Sequence, residues 1–120
     1  MQDNKGKNLI VDLTLIFALK IIRYAELLEK NRKYIVARQL LKSGTSIGAN
    51  VREAQNAESK ADFIHKLKIA AEEADETVYW LILCLNSDGY ENCDELLEDC
   101  NAISRVLSKI ISSSKSRSIN

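Results

Sequence analysis

Residues 44–81, GTSIGANVREAQNAESKADFIHKLKIAAEEADETVYWL, hold the pattern from which the rest of the chain can be read. Gly44, Ile47, Gly48, Val51, Ala54 and Ala57 recur at alternating spacings of three and four, the signature of one helix face. Gly44 and Gly48 stack four apart on that face, so a neighbouring backbone can come close. Two glycines inside a helix cost roughly 1 kcal/mol each against alanine, and close packing is the compensation this predicts. The competing reading is a break in the helix near Ser43–Ser46. Beyond a polar turn at 57–61, with Ser59 or Asp62 as N-cap, a second helix carries Phe63, Leu67, Ala70, Ala74, Thr77 and Leu81 on one face. Beside it runs a mixed stripe: Asp62, Lys66, Ile69, Glu73, Glu76 and the only tryptophan, Trp80. A hairpin turning near Ser59 sets Lys42 opposite the Glu76 turn, Arg38 near Trp80, and Arg52 opposite 66–69. The expectation is that the glycine-lined helix and its acid-studded neighbour lock together. Glu72 and Glu76 are a like-charge pair one turn apart. The stripe is therefore read either as an ordered ion network, within or between subunits, or as a solvated acidic face.

Outward from this stretch the same period continues. Ile10, Leu13, Phe17, Ile21, Tyr24 and Leu28 give a first helix over about 8–29 its inward face. Leu9, Ile16, Leu19 and Leu27 widen the apolar arc, and Asp12, Arg23, Glu26 and Lys30 lie opposite. A polar turn at 31–33 leads into the second helix. Asn86-Ser87-Asp88-Gly89 ends the third near Leu85, and Asp88 or a residue near Asn92 caps the fourth. Cys93, Leu96, Cys100, Ile103, Leu107 and Ile110 line that helix, with acids at its start and lysines at its end, as the helix dipole favours. No segment alternates with period two. The fold class expected is all-α, an antiparallel up-down four-helix bundle. Residues 1–120 make a single domain, with 1–8 and 113–120 frayed.

The residues GTSIGANVREA (44–54) and DFIHKLKIAAEEADETVYWL (62–81) resemble the bacterial four-helix-bundle family of 23S rRNA intervening-sequence proteins. A related branch is the accessory protein of diversity-generating retroelements. The matching positions are Ser46, Ile47, Gly48, Asn50, Arg52, Glu53, Ala54, Asp62, Phe63, Lys66, Glu73, Glu76 and Trp80. The resemblance implies a homopentamer, with RNA, a reverse transcriptase or another ribonucleoprotein as partner, and it carries no catalytic residues. Gly44 and the matching positions are thus candidates for an oligomer and packing motif.

Composition narrows the remaining chemistry. Hydrophobic residues at 46% and charged residues at 28% describe a globular chain, and proline is absent. Seventeen basic and seventeen acidic residues cancel, which argues against strong nonspecific nucleic-acid binding. The balance hides an asymmetry: residues 1–60 carry eleven Lys/Arg against six Asp/Glu (+5), and 61–120 carry six against eleven (−5). Halves of opposite sign suit self-association. Lys30, Arg32, Lys33, Arg38 and Lys42, around the first turn, are the candidate nucleic-acid contacts, against a solvated charge run. No secretory segment or membrane span is evident, so the cytoplasm is the expected compartment.

Cys84, Cys93 and Cys100 have no metal-ligand spacing and read as buried, reduced side chains. Asp62 and the only histidine, His65, match half of a di-iron bundle motif, but one histidine per chain cannot complete it. No nucleophile elbow or phosphate loop is present. No cofactor, metal or small-molecule substrate is expected. The function expected is a non-enzymatic, homo-oligomeric helical scaffold with an RNA or ribonucleoprotein partner. The alternatives are a protein-interaction module without nucleic acid and a metal-dependent enzyme using Glu73, Glu76 and His65.

Overall fold

The computed structural model describes residues 5–119, with side chains described from Leu9 to Ser116. Four helices follow in order: α1 (Lys5–Lys30), α2 (Tyr34–Ala54), α3 (Lys60–Leu85) and α4 (Asp94–Ile119). Each packs against its sequence neighbours, and α1 also meets α4, so the helices stand at the corners of a square with α1 diagonal to α3. The expected all-α up-down bundle is what the chain forms.

Local chemistry accounts for the boundaries. Lys33 donates its N–H to Leu28 O at 2.8 Å and Arg32 donates to Glu29 O at 2.9 Å. This is a Schellman closure of α1. Its left-handed position, normally glycine, is held by Arg32 at φ 67°. Ser59 caps α3, its Oγ accepting from Asp62 N at 3.0 Å. Gly89 takes φ 83° in the third turn, and Asn92 Oδ1 accepts from Asp94 N at 3.0 Å where α4 begins.

The second helix runs unbroken through Ser43–Ser46, as its periodicity implies and against the competing reading of a break, because burial of its small-residue face offsets the propensity of two glycines. Two expected helix ends need correction. α1 begins at Lys5, ahead of the expected 8; of the stretch expected to fray, residues 1–4 lie outside the described ones. α4 continues through Ile119, past the expected end near 112. Serine, lysine and arginine lower helix propensity only slightly, and no glycine or proline intervenes to stop the last turns.

The core runs the length of the bundle. Phe17, Ile21, Leu28, Leu40, Ile47, Leu67, Leu81, Ile103 and Leu107 are among its fully buried side chains. Leu13, expected to point inward, is only half-buried at the α1–α4 edge.

Candidate functional site

The mixed stripe of α3 lies along the α2 flank, and part of the resembling motif, Glu53, Asp62, Lys66 and Glu73, gathers there. Lys66 Nζ sits 3.6 Å from Glu53 Oε1 and 3.8 Å from Asp62 Oδ1, joining the end of α2 to the start of α3. On α2, Asn50 Nδ2 donates to Ser46 O at 2.9 Å, and Ser46 Oγ donates to Lys42 O at 2.7 Å. Beneath this surface Thr77 Oγ1 lies 2.8 Å from Glu73 O and 2.9 Å from Ser43 Oγ. With one proton per hydroxyl, Thr77 donates to the carbonyl and Ser43 donates to Thr77. This pair is a buried polar tie between α2 and α3.

The acidic turn is only partly neutralised. Burial pushes the Glu73 carboxyl above its ordinary value, with Glu76 and Glu72 adding to the shift and Lys42 opposing it. Lys42 thus acts on the turn that the hairpin register set opposite it, through Glu73. Trp80 donates its indole N–H to Glu76 Oε2 at 3.3 Å and packs edge-on against Tyr79, ring centroids 5.7 Å apart. Among the described residues Glu72, Asp75 and Glu76 make no ion pair within 4 Å. Within one chain the ion-network reading holds for the Glu53–Lys66–Asp62 cluster, which is solvent-screened and contributes little to stability.

The glycines face the other way. A Cβ on Gly44 would meet Ile21 of α1, and one on Gly48 would meet Thr14 of α1. The close approach expected of this stripe is thus real but is made with α1, not with acid-studded α3. Ile47 is fully buried between the two glycines. Arg52, expected opposite 66–69, instead borders a shallow groove of about 120 Å³ on the α1 side, with Val11, Thr14, Leu15 and Thr45. Helical periodicity defines a face but not which neighbour covers it.

Four of the five candidate nucleic-acid residues, Lys30, Arg32, Arg38 and Lys42, are exposed. Lys33 is half-buried and its ammonium lies 5.0 Å from the Tyr90 ring centroid, clamping the first turn to the third. Lys42 leans electrostatically on Glu73. Lys30, Arg32 and Arg38 are exposed, and among the described residues they make no ion pair.

Cys84, Cys93 and Cys100 are free and buried. Cys93 and Cys100 donate to the Leu81 and Ala74 carbonyls at 3.4 and 3.5 Å. Burial raises all three thiols, Cys84 to about 11 and Cys100 to about 12. Tyr24, against which Cys84 and Cys93 sit, donates its hydroxyl to Glu91 O at 2.6 Å. His65 is exposed. Among the described residues no three His, Cys, Asp or Glu side chains converge as metal ligands, and no helix is long and apolar enough to cross a membrane.

One feature was only half legible from the residues. The widened apolar arc of α1 does not fold into the core: Leu9, Leu15, Ile16 and Leu19 are each about half exposed (47–52%), and Ile22 and Leu27 are 37% and 36% exposed. Diagonally across the bundle, Tyr79, Ile82 and Leu83 of α3 are also exposed. An apolar position looks the same in sequence whether its cover comes from within the chain or from outside it.

Comparison with known proteins follows from this geometry. No protein of curated function matches the chain. The fold is similar to the crystal structure of a protein of unknown function from the S23 ribosomal protein family of Bacteroides thetaiotaomicron VPI-5482. That similarity has a TM-score of 0.85 at 40% identity, covering 89% of this chain and 98% of the other. Residues 7–109 match the profile described as 23S rRNA-intervening sequence protein. With nearly the whole bundle inside that match, the chain belongs to the 23S rRNA-intervening sequence protein family.

Proposed function

We propose that this chain is a non-enzymatic scaffold of the cytoplasm that works as an assembly of its own copies, with the pentamer as the expected form. RNA, or a ribonucleoprotein such as a reverse-transcriptase complex, is its expected partner. The observation that carries the assembly is the row of large apolar side chains left in water on α1. A contiguous exposed apolar face on a small protein marks an interaction surface. The nucleic-acid element rests on the family and on the exposed cations Lys30, Arg32 and Arg38 at one end of the bundle.

Sedimentation velocity at micromolar concentration tests the assembly; a strict monomer refutes it. Titration of structured RNA at two salt concentrations tests the partner: the reading expects binding that weakens as salt rises. Assembly without any RNA binding would favour the protein-interaction module, which the zero net charge supports. The metal-enzyme reading is disfavoured by spacing. His65 lies eight residues before Glu73 on one helix, about 12 Å along its axis, too far to share an ion.

A further inference from the structure

Arg32 stands at φ 67°, the left-handed position that a Schellman closure ordinarily gives to glycine. A side chain there destabilises the fold relative to glycine, and such strain collects at sites that bind or react. Nothing inside the chain compensates it: among the described residues the Arg32 guanidinium makes neither an ion pair nor a hydrogen bond. The charged ends of Lys30 and Arg38 are equally unpartnered there. Residues 30–42 carry five Lys/Arg and no Asp/Glu. Glu29 and Asp88 border this turn, yet neither pairs with its cations within 4 Å.

Two large side chains stand in water among these cations. Tyr34 is 54% exposed, and Ile35, at 74%, is the most exposed large apolar side chain among the described residues. The Tyr34 ring makes no aromatic contact, and its hydroxyl no hydrogen bond, among the described residues. Arg38 follows one turn later on the same face of α2. The platform is held in place by Lys33, whose N–H closes α1 and whose ammonium lies against Tyr90 of the third turn. It sits at the end of the bundle, off the α1 face proposed to join the copies.

We propose that this end of the bundle binds single-stranded RNA: Tyr34 stacks on an unpaired base while Lys30, Arg32 and Arg38 hold the flanking phosphates. This rests on the RNA reading above and specifies the strandedness of the partner and the residues that meet it. Aromatic rings set among unpaired cations are the chemistry of single-strand binding, because every base has a π-face and every linkage a charge. A duplex keeps its base faces stacked on one another and gives the ring nothing to cover. An acidic peptide would satisfy the cations and offer the ring no planar partner.

The test is fluorescence anisotropy with the full chain, using labelled oligouridylate and the duplex it forms with oligoadenylate, each at two salt concentrations. Oligouridylate should bind more tightly than the duplex. Arg32→Gly should melt higher than wild type yet bind oligouridylate more weakly, with the slope of log affinity against log salt reduced by about 0.7. Lost binding in a stabilised variant is not a folding failure. Tyr34→Leu should weaken binding about tenfold at unchanged salt slope, and Tyr34→Phe should retain it. If wild type binds oligouridylate but Arg32→Gly and Tyr34→Leu bind it equally well, the RNA reading stands and this site is wrong. The site is equally wrong if the duplex binds as tightly, if polyglutamate displaces oligouridylate from wild type and Tyr34→Leu alike, or if either variant changes the assembled mass by light scattering. If wild type binds neither RNA, the RNA reading falls and this inference with it.

Discussion

A Cβ at Gly44 would lie 2.9 Å from both Cγ atoms of Ile21, a branched and fully buried side chain. Ile21 cannot move aside without disturbing the core, so overpacking of about 1–3 kcal/mol exceeds the roughly 1 kcal/mol that alanine gains in helix propensity. Gly44→Ala should therefore lower unfolding free energy, by up to about 2 kcal/mol. At Gly48 the nearest atoms are Thr14 Oγ1 at 3.3 Å and its Cβ and O at 3.4 Å. There the two effects nearly cancel, and Gly48→Ala should be close to neutral by urea denaturation. The sequence presents the two glycines alike; only the identity of the opposing α1 residue separates them. Glu73 gives a second test. A carboxyl whose folded-state pKa is raised favours folding while protonated, and that contribution is lost as pH rises through the folded value. Glu73→Gln removes the titration. Its melting temperature relative to wild type should climb as pH rises from the ordinary carboxylate value of 4.5. A difference that is flat or falls with pH would contradict the burial of this group.

At the scale of the helix, ends and pairings hold the testable energy. Arg32 occupies a left-handed position without being glycine, a conformation that costs an L-residue about 1–2 kcal/mol. Arg32→Gly should raise stability by about 1 kcal/mol, measured by thermal or urea unfolding. The turn at 31–33 was legible as polar, but with no glycine there the Schellman closure was not. The α2–α3 pairing depends on Ser43 and Thr77. Thr77→Val should cost about 1–2 kcal/mol by stranding the buried Ser43 hydroxyl. Adding Ser43→Ala should cost less than the sum of the single changes. In the sequence Thr77 was read as a core-face residue and Ser43 as the start of a suspect break. Nothing in either position announced that the two hydroxyls face each other.

Across the whole molecule, the bundle measures 52 × 21 × 21 Å, and its four-helix order is readable because hydrophobic period and turn residues agree at the three turns between helices. What covers each face is not readable: Leu9, Ile16, Leu19 and Leu27 widen the apolar arc of α1 in the sequence, and the fold leaves all four exposed. The thiols test the core as a unit. With Cys84 pushed up to about 11 and Cys100 to about 12 by burial, little thiolate exists at pH 8. Iodoacetamide should label none of the three cysteines in the native chain at that pH and all of them in denaturant, by intact mass. Native labelling within minutes would mean that the bundle opens far more often than its packing allows.

The seam between α1 and α4 has a kinetic consequence. Every other pairing joins helices connected by a short turn, so each can zip as a local hairpin soon after its turn forms. The first and last helices can meet only after most of the chain has been gathered, and loop closure of that span carries the greatest entropic cost. Their contacts, including Lys20 with Asp99 at 2.9 Å and with Glu95 at 3.1 Å, should form after the folding transition state. Substitutions along this seam should accelerate unfolding and leave the refolding rate almost unchanged.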